Sequence, residues 1–334
     1  MSSDKLLPWA KPLLISSTLT QATIYVLRPM ITYRALELDA NAAQIGLIAS
    51  VYALFPVLLA LQFGKWVGRM GEAKFIIYGT LAMLVTSAGL MVAHSILWLS
   101  IAAACAGTAH LACMVGGQSM VALRAPRESY DRYFGFYTFS ASVGHMLGPI
   151  VAAIVAGSNG NLPKSTSNAF LLGVVLTILA LFPVIRWRNE RPTVVAQQNS
   201  EGTYKTALNL VKRPGILAAI YISLAISSAA DVLVVFLPLF GAENNFSPYA
   251  VGAILAIRAG TTMLSRLFLG KLSERFTTFQ TELTSIPGIG PKTAEKLLVH
   301  FGSVKGVKNA TPKDWEECIG KKGAELLLKG IQQL

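Results

Sequence analysis

The chain has 334 residues, of which 53% are hydrophobic and only 14% charged, and its mean hydropathy is +0.52. A single water-soluble core of this length cannot hide so much apolar surface, so a lipid bilayer is the expected solvent for most of it. The net charge is +12, of which residues 1–276 carry +10 and residues 277–334 carry +2; the excess lies among the apolar spans and not in the polar tail.

Eight stretches approach the ~20 apolar residues that cross a bilayer: near 12–34, 43–63, 75–94, 96–122, 134–157, 168–186, 215–240 and 247–269. The first lacks a small-residue cleavage site and reads as a retained helix, with no removable signal peptide. The third and fourth are parted by a short turn at His94 and Ser95. Basic residues follow the even spans: Lys65, Arg69 and Lys74; Arg124, Arg127 and Arg132; Arg186, Arg188 and Arg191, with Lys205, Lys212 and Arg213 further on; Lys271 and Arg275. The alternate loops hold little positive charge, chiefly Arg34 and Lys164. This bias predicts a multi-pass inner-membrane protein with both termini in the cytoplasm. The polar run from Arg186 to Arg213 reads as a connection between two bundles. The expected organisation is all-α: a six-helix bundle over 1–190, a cytoplasmic linker over 191–213, two spans of a second bundle over 214–276, and a small soluble domain over 277–334. At residue 276 the basic usage changes, from 13 arginines among 21 basic residues to 8 lysines and no arginine, which marks a seam between sequences of different origin.

The loop after the second span reads Gly64-Lys65-Trp66-Val67-Gly68-Arg69-Met70-Gly71-Glu72-Ala73-Lys74, and Gly270-Lys271-Leu272-Ser273-Glu274-Arg275-Phe276 follows the eighth. The pair resembles the repeated G-x-x-x-D-R-x-G-R-R loop of the major facilitator superfamily. That resemblance implies charged clasps at the helix ends, carried by Gly64, Arg69 and Gly71 in one half and by Gly270, Glu274 and Arg275 in the other. Gly68 stands where the family has an acid, so the first clasp is expected to be weak. The fifth span holds Gly135, Gly144 and Gly148-Pro149, similar to the family's antiporter motif with alanines closing it. Small residues at this spacing let helices approach closely, and the proline removes a backbone donor; ordinary packing explains the glycines equally well. The fourth span has Ala103 where that family's antiporters carry an arginine. Family members usually have twelve spans, and eight are legible here, so half of the second wall of a central cavity is expected to be lacking.

Charges inside spans are costly and are often functional. Asp231 and Arg258 both lie about 13–16 Å from the loop between their spans by helical rise, and an ion pair between them is expected, serving either the cavity or helix packing. Arg28 suits an outer cavity or a snorkelling position. His110 and His145 suit proton relay or buried packing, and Tyr25, Gln118 and Tyr137 are further cavity polars. Cys105, Cys113 and Cys318 have neither metal-ligand spacing nor a paired framework and read as reduced thiols. No metal, cofactor or catalytic cluster is expected, so the chain does not read as an enzyme.

In the tail, Ile289, Gly290, Lys292, Ala294, Glu295, Leu297 and Leu298 recur thirty residues later as Ile319, Gly320, Lys322, Ala324, Glu325, Leu327 and Leu328. Such a repeat marks paired helix-hairpin-helix units. Pro287-Gly288-Ile289-Gly290 gives a tight turn, and Pro291 opens a helix whose free N–H groups suit a phosphate. Lys292 and Thr293 add charge and a hydroxyl, with Gly320 and Lys322 in the second copy. Cys318 in place of Gly288 predicts a degraded second site. Ile286, Ile289, Leu297, Leu298, Phe301, Val304 and Ile319 form the expected core. The segment from about Glu282 to Ile331 resembles the C-terminal tandem helix-hairpin-helix domain of the excision-repair nuclease subunit UvrC. This implies sequence-independent DNA-backbone binding without the nuclease, a protein-binding helical module being the other reading. Small-molecule partners, the bilayer and DNA are thus the candidate partners. The candidate functions are a transporter working by efflux or proton-coupled antiport, a membrane-tethered DNA-binding protein, and a fusion without intact transport.

Overall fold

The computed structural model describes residues 6–190, 211, 215–301 and 304–330. The linker over 191–213 lies, except for Val211, outside the described residues, as do the surroundings of Gly270 and the side chains of Glu274 and Arg275. The described chain forms helices α1 (Ala10–Glu37), α2 (Ala42–Met70), α3 (Glu72–Met91), α4 (Ile96–Arg124), α5 (Tyr130–Ala156), α6 (Thr166–Val184), α7 (Ile216–Glu243), α8 (Pro248–Thr284), α9 (Pro291–Phe301), α10 (Val304–Asn309) and α11 (Pro312–Gly330). They fall into two compact units, Met1–Met263 and Leu264–Leu334. The seam expected at 276 therefore lies inside the second unit, within α8.

In the first unit, six helices among the described residues are long and apolar enough to cross a membrane: α2 to α5, α6 with its 3-10 extension to Asn189, and α7. Val57, Leu58, Val85, Leu97 and Phe182 stand largely exposed on them, as side chains facing lipid do. The expected eighth span lies in α8, which is not among those six, and the expected first span is present as α1 but is not among them either. Its polar content explains this: Ser16, Ser17, Thr20, Gln21 and Thr23 are buried, and the helix packs chiefly against α5 and α6 and also meets α4 and α7. Two of its threonine hydroxyls are satisfied locally, Thr20 donating to the Ser16 carbonyl at 2.9 Å and Thr23 to that of Leu19 at 2.9 Å, the usual device for threonine inside a helix.

Two glycines set the α1–α5 crossing. A Cβ on Gly144 would run into the Thr18 carbonyl and lie 2.7 Å from the Ala22 nitrogen, and one on Gly148 would lie 2.8 Å from the Ala22 carbonyl oxygen. Across the same contact, Thr18 donates to the Ser140 carbonyl at 3.1 Å. Gly135 does not share this role: it is exposed, and a Cβ there would meet nothing within 4 Å. Turn chemistry links the helices. Asn41 and Gln44 form a reciprocal capping box at the start of α2. Gly71, at φ 88°, ends α2 and begins α3 as one shared joint. Ser95 and Ser165 cap α4 and α6.

The second unit closes around Leu283, Ile286, Ile289, Ala294, Leu297, Leu298, Val307, Trp315, Ala324 and Leu327. Trp315, absent from the expected core, is buried and donates its indole N–H to the Val307 carbonyl at 2.9 Å. The Val304 side chain lies outside the described residues. Thr311 and Asp314 cap α11 reciprocally: the Asp314 carboxylate accepts from the Thr311 N–H and hydroxyl, both at 2.8 Å. Within α11 the helix is broken at Gly320, where φ is 78° and ψ 163°.

Candidate functional site

The polar side chains of the first unit converge on one network. Near the middle of α1, the Gln21 side-chain oxygen accepts from two histidines, His110 Nε2 of α4 at 3.1 Å and His145 Nε2 of α5 at 3.0 Å. On the far side of His110, Nδ1 lies 3.0 Å from the Tyr52 hydroxyl of α2. A neutral His110 with its proton on Nε2 satisfies both contacts, donating to Gln21 and accepting from Tyr52. Tyr25 stacks on His145 with ring centroids 4.0 Å apart. Two helical turns along α1, about 10 Å by helical rise, Arg28 lies over the Tyr52 ring at 4.8 Å and donates Nη1–H to Asp231 Oδ1 of α7 at 2.6 Å. Thr32 adds a hydrogen bond to the Val235 carbonyl of α7 at 3.0 Å.

Five helices thus contribute to one polar thread, and it brings together Arg28, His110, His145 and Asp231. It does not bring in Arg258: Asp231 pairs with Arg28, which corrects the expected Asp231–Arg258 pair. Counting residues from the shared loop favours Arg258, whereas α1 reaches α7 through packing that spacing along the chain does not reveal. Arg258 Nε is buried with no hydrogen-bond partner. Of the further polars, Tyr25 joins the network, Tyr137 is buried, and Gln118 is exposed. Gln21 and Tyr52 went unread in the sequence; an amide in mid-span was the available signal. Ala103 lines a cavity of about 20 Å³ together with Arg28, Thr32 and Tyr52, so the guanidinium in that space comes from α1 and not from α4.

At the end of the bundle where α2 meets α3, the motif residues behave differently from one another. Gly71 makes the turn, Arg69 is exposed, and a Cβ on Gly64 or Gly68 would meet nothing within 4 Å. The clasp is built one residue beyond that turn. Arg124, ending α4, donates Nε–H to Glu72 Oε1 at 2.8 Å and Nη2–H to Glu190 Oε2 at 2.6 Å. Glu72 is 1% exposed, and it begins α3, where a carboxylate also meets the positive end of the helix dipole. In α5, the Pro149 carbonyl oxygen lies 2.8 Å from where a Gly252 Cβ of α8 would stand.

In the second unit, Gly288 adopts φ 91°, and Gly290 opens α9, its carbonyl accepting from the Thr293 and Ala294 N–H groups at 3.0 Å each. A side chain on Gly290 would meet nothing within 4 Å, whereas one on Gly288 would lie 2.8 Å from Leu326. Lys292, Lys322 and Gly320 are exposed and Thr293 is partly buried. The two turns are not equivalent: the positive φ falls on Gly288 in the first hairpin and on Gly320 in the second, because Cys318 cannot take the left-handed conformation cheaply and stays helical.

A multi-pass helix bundle with small-residue crossings, a polar centre and an attached paired-hairpin domain defines the class: an all-α polytopic membrane protein carrying a helix-hairpin-helix tail. The chain belongs to the Major Facilitator Superfamily, whose family model matches residues 13–291. A second model, a SAM-like helix-hairpin-helix tandem, matches residues 280–333. The chain is similar to multidrug resistance protein MdtG of Dickeya zeae, 23% identical over 242 residues that cover 69% of this chain and 56% of that protein. Its tail is similar to UvrABC system protein C of Chlorobium chlorochromatii, 56% identical over 48 residues that cover 14% of this chain and 8% of that protein. The chain therefore spans well under two thirds of either relative's length. A solved structure of a bacterial homologue of the human lysosomal transporter Spinster, inward-facing and unoccupied, superposes with a TM-score of 0.59 at 17% identity, over 96% of this chain and 74% of that one; this likeness concerns the fold.

Proposed function

We propose that the chain is a secondary transporter of small molecules in the inner membrane, working as an exporter, with its substrate site on the thread from Gln21 to Asp231. The observation that carries this reading is the Arg28–Asp231 ion pair. It links the first helix of the six-helix bundle to the first helix beyond the linker, where members of such folds place substrate. Likeness to a multidrug resistance protein supports export. Gly144, Gly148 and Pro149 support antiport, while Ala103 argues against proton coupling of the usual kind. In cells expressing the chain, accumulation of fluorescent drugs should fall, and Arg28→Ala should restore it to the level of empty cells. Equal accumulation with and without the intact protein rejects transport. The basic loops support cytoplasmic termini: reporter fusions at Asn159 and Leu334 should face opposite sides, and equal labelling from outside refutes this topology.

The tail supports a second activity, DNA-backbone binding by a module of separate origin over 277–334. Its specific support is the left-handed turn at Gly288 leading into α9, with Lys292 exposed beside it. Backbone amides read phosphates and not bases, so sequence preference should be weak. Gly290→Val has room to fold, and it should cost most of the affinity for a labelled duplex. Unchanged anisotropy-measured binding rejects the hairpin mechanism. Absence of binding at low salt favours a protein-binding module or a fusion relic.

A further inference from the structure

We propose that the site takes a small organic anion, a carboxylate or its equivalent, which replaces Asp231 on Arg28. The inference rests on the transport reading above and names its substrate class. Its first support is a charge count. Among the described residues, the charges deep inside the spans are Arg28, Arg258 and Asp231, two cations against one anion, and the unmatched cation is expensive in a bilayer. The second is hydrogen bonding. A guanidinium offers five N–H donors. Arg28 is only 9% exposed and gives one of them, Nη1–H, to Asp231. The third is asymmetry within the pair. Arg28 is held from behind by the Tyr52 ring, whereas the Asp231 side chain is 55% exposed, so the carboxylate is the partner that can leave.

The cavity beside Arg28 is about 20 Å³, room for about one water. A ligand therefore occupies the place that Asp231 vacates. One carboxylate exchanges for another on the same guanidinium, and a bidentate incoming group uses donors that Asp231 leaves idle. The exchange also cuts the link between α1 and α7, so binding and release of the two helix groups become one event. A cationic substrate predicts the reverse arrangement, with Asp231 as the receptor and Arg28 as its displaced partner.

The opposite signs expected for Asp231 separate these cases. The full chain in lipid nanodiscs is titrated with benzoate, with neutral benzamide of the same shape, and with the lipophilic cation tetraphenylphosphonium, by calorimetry and by melting temperature. Benzoate should bind and benzamide should not. Asp231→Asn, which removes the internal rival, should tighten benzoate about tenfold, and benzoate should restore any melting temperature that this variant loses. Arg28→Lys should weaken benzoate and Arg28→Gln should abolish it. Benzoate binding that Asp231→Asn weakens or leaves unchanged overturns the proposal, as does the absence of benzoate binding in that variant. Tetraphenylphosphonium binding that needs Asp231 overturns the anion while preserving a transport site here. Indifference of all three probes to both Arg28 and Asp231 overturns the site itself.

Discussion

The helix bundle and the tail bury opposite kinds of residue. In the bundle the most enclosed helix, α1, is the one richest in hydroxyl and amide groups, while leucine, valine and phenylalanine face outward. In the tail, Leu283, Leu297, Trp315 and Leu327 are inside, and Lys292, Lys296, Lys313 and Lys322 are outside. Both follow one rule, that each unit turns toward its solvent what that solvent tolerates. The difference teaches where specificity comes from. In lipid, apolar side chains gain little by meeting one another, so close backbone approach and polar contacts must select the helix partners. In water, burial of apolar area does most of that work.

The sharpest way to break this comparison is Gly144→Leu. Added bulk there meets α1 backbone at Thr18 and Ala22, and neither can move without opening the α1–α5 crossing. Purified protein should lose its cooperative melt entirely; a normal melting curve would show that the crossing does not hold the bundle. The tail counterpart is Trp315→Ala, a cavity in an apolar core, expected to cost about 3–5 kcal/mol and to be read by urea unfolding of residues 277–334. A loss under 1 kcal/mol would mean that the tail does not rest on that core. Arg124→Ala leaves the Glu72 carboxylate buried without its cation, expected to cost about 3 kcal/mol. Arg124→Ala with Glu72→Gln should recover much of that loss, and equal melting temperatures for the single and double variants would deny the pair.

The smallest effect belongs to Asp314. Hydrogen bonds from the Thr311 backbone and hydroxyl hold its carboxyl below the usual carboxylate range. Its folded pKa is depressed, so its contribution is fully present above the unfolded pKa and is lost as pH falls through the lower, folded one. Asp314→Asn should therefore reduce the stability of the tail at neutral pH and leave it nearly unchanged in strong acid. A variant whose deficit is independent of pH would place the cap elsewhere.

Helix order, the paired hairpins and the family were legible in the sequence because each depends on local pattern: runs of apolar residues, turn glycines, and a repeat at fixed spacing. What was not legible depends on partners distant in the chain. Arg28 and Asp231 are 203 residues apart, and Arg124 reaches Glu190 across 66. A weak clasp was expected because Gly68 stands where the family has an acid, whereas Glu72, a turn later and on the next helix, pairs with Arg124. Trp315 was passed over because its neighbours are charged, although its own face turns inward. The difference between the two hairpin turns was legible for a local reason, since Cys318 takes the left-handed conformation of Gly288 only at a cost.

The polarity of α1 sets a problem of timing during synthesis. α1 leaves the ribosome before the helices that enclose it, and the chain separating Gln21 from His145 is 124 residues long. At about 5–20 residues per second, translation of that interval takes roughly 6–25 s. Through that time Ser16, Ser17, Gln21 and Arg28 have neither α5 nor α7 to shield them from lipid, so α1 must wait at the insertion machinery, or at the membrane surface, until its own walls have been made.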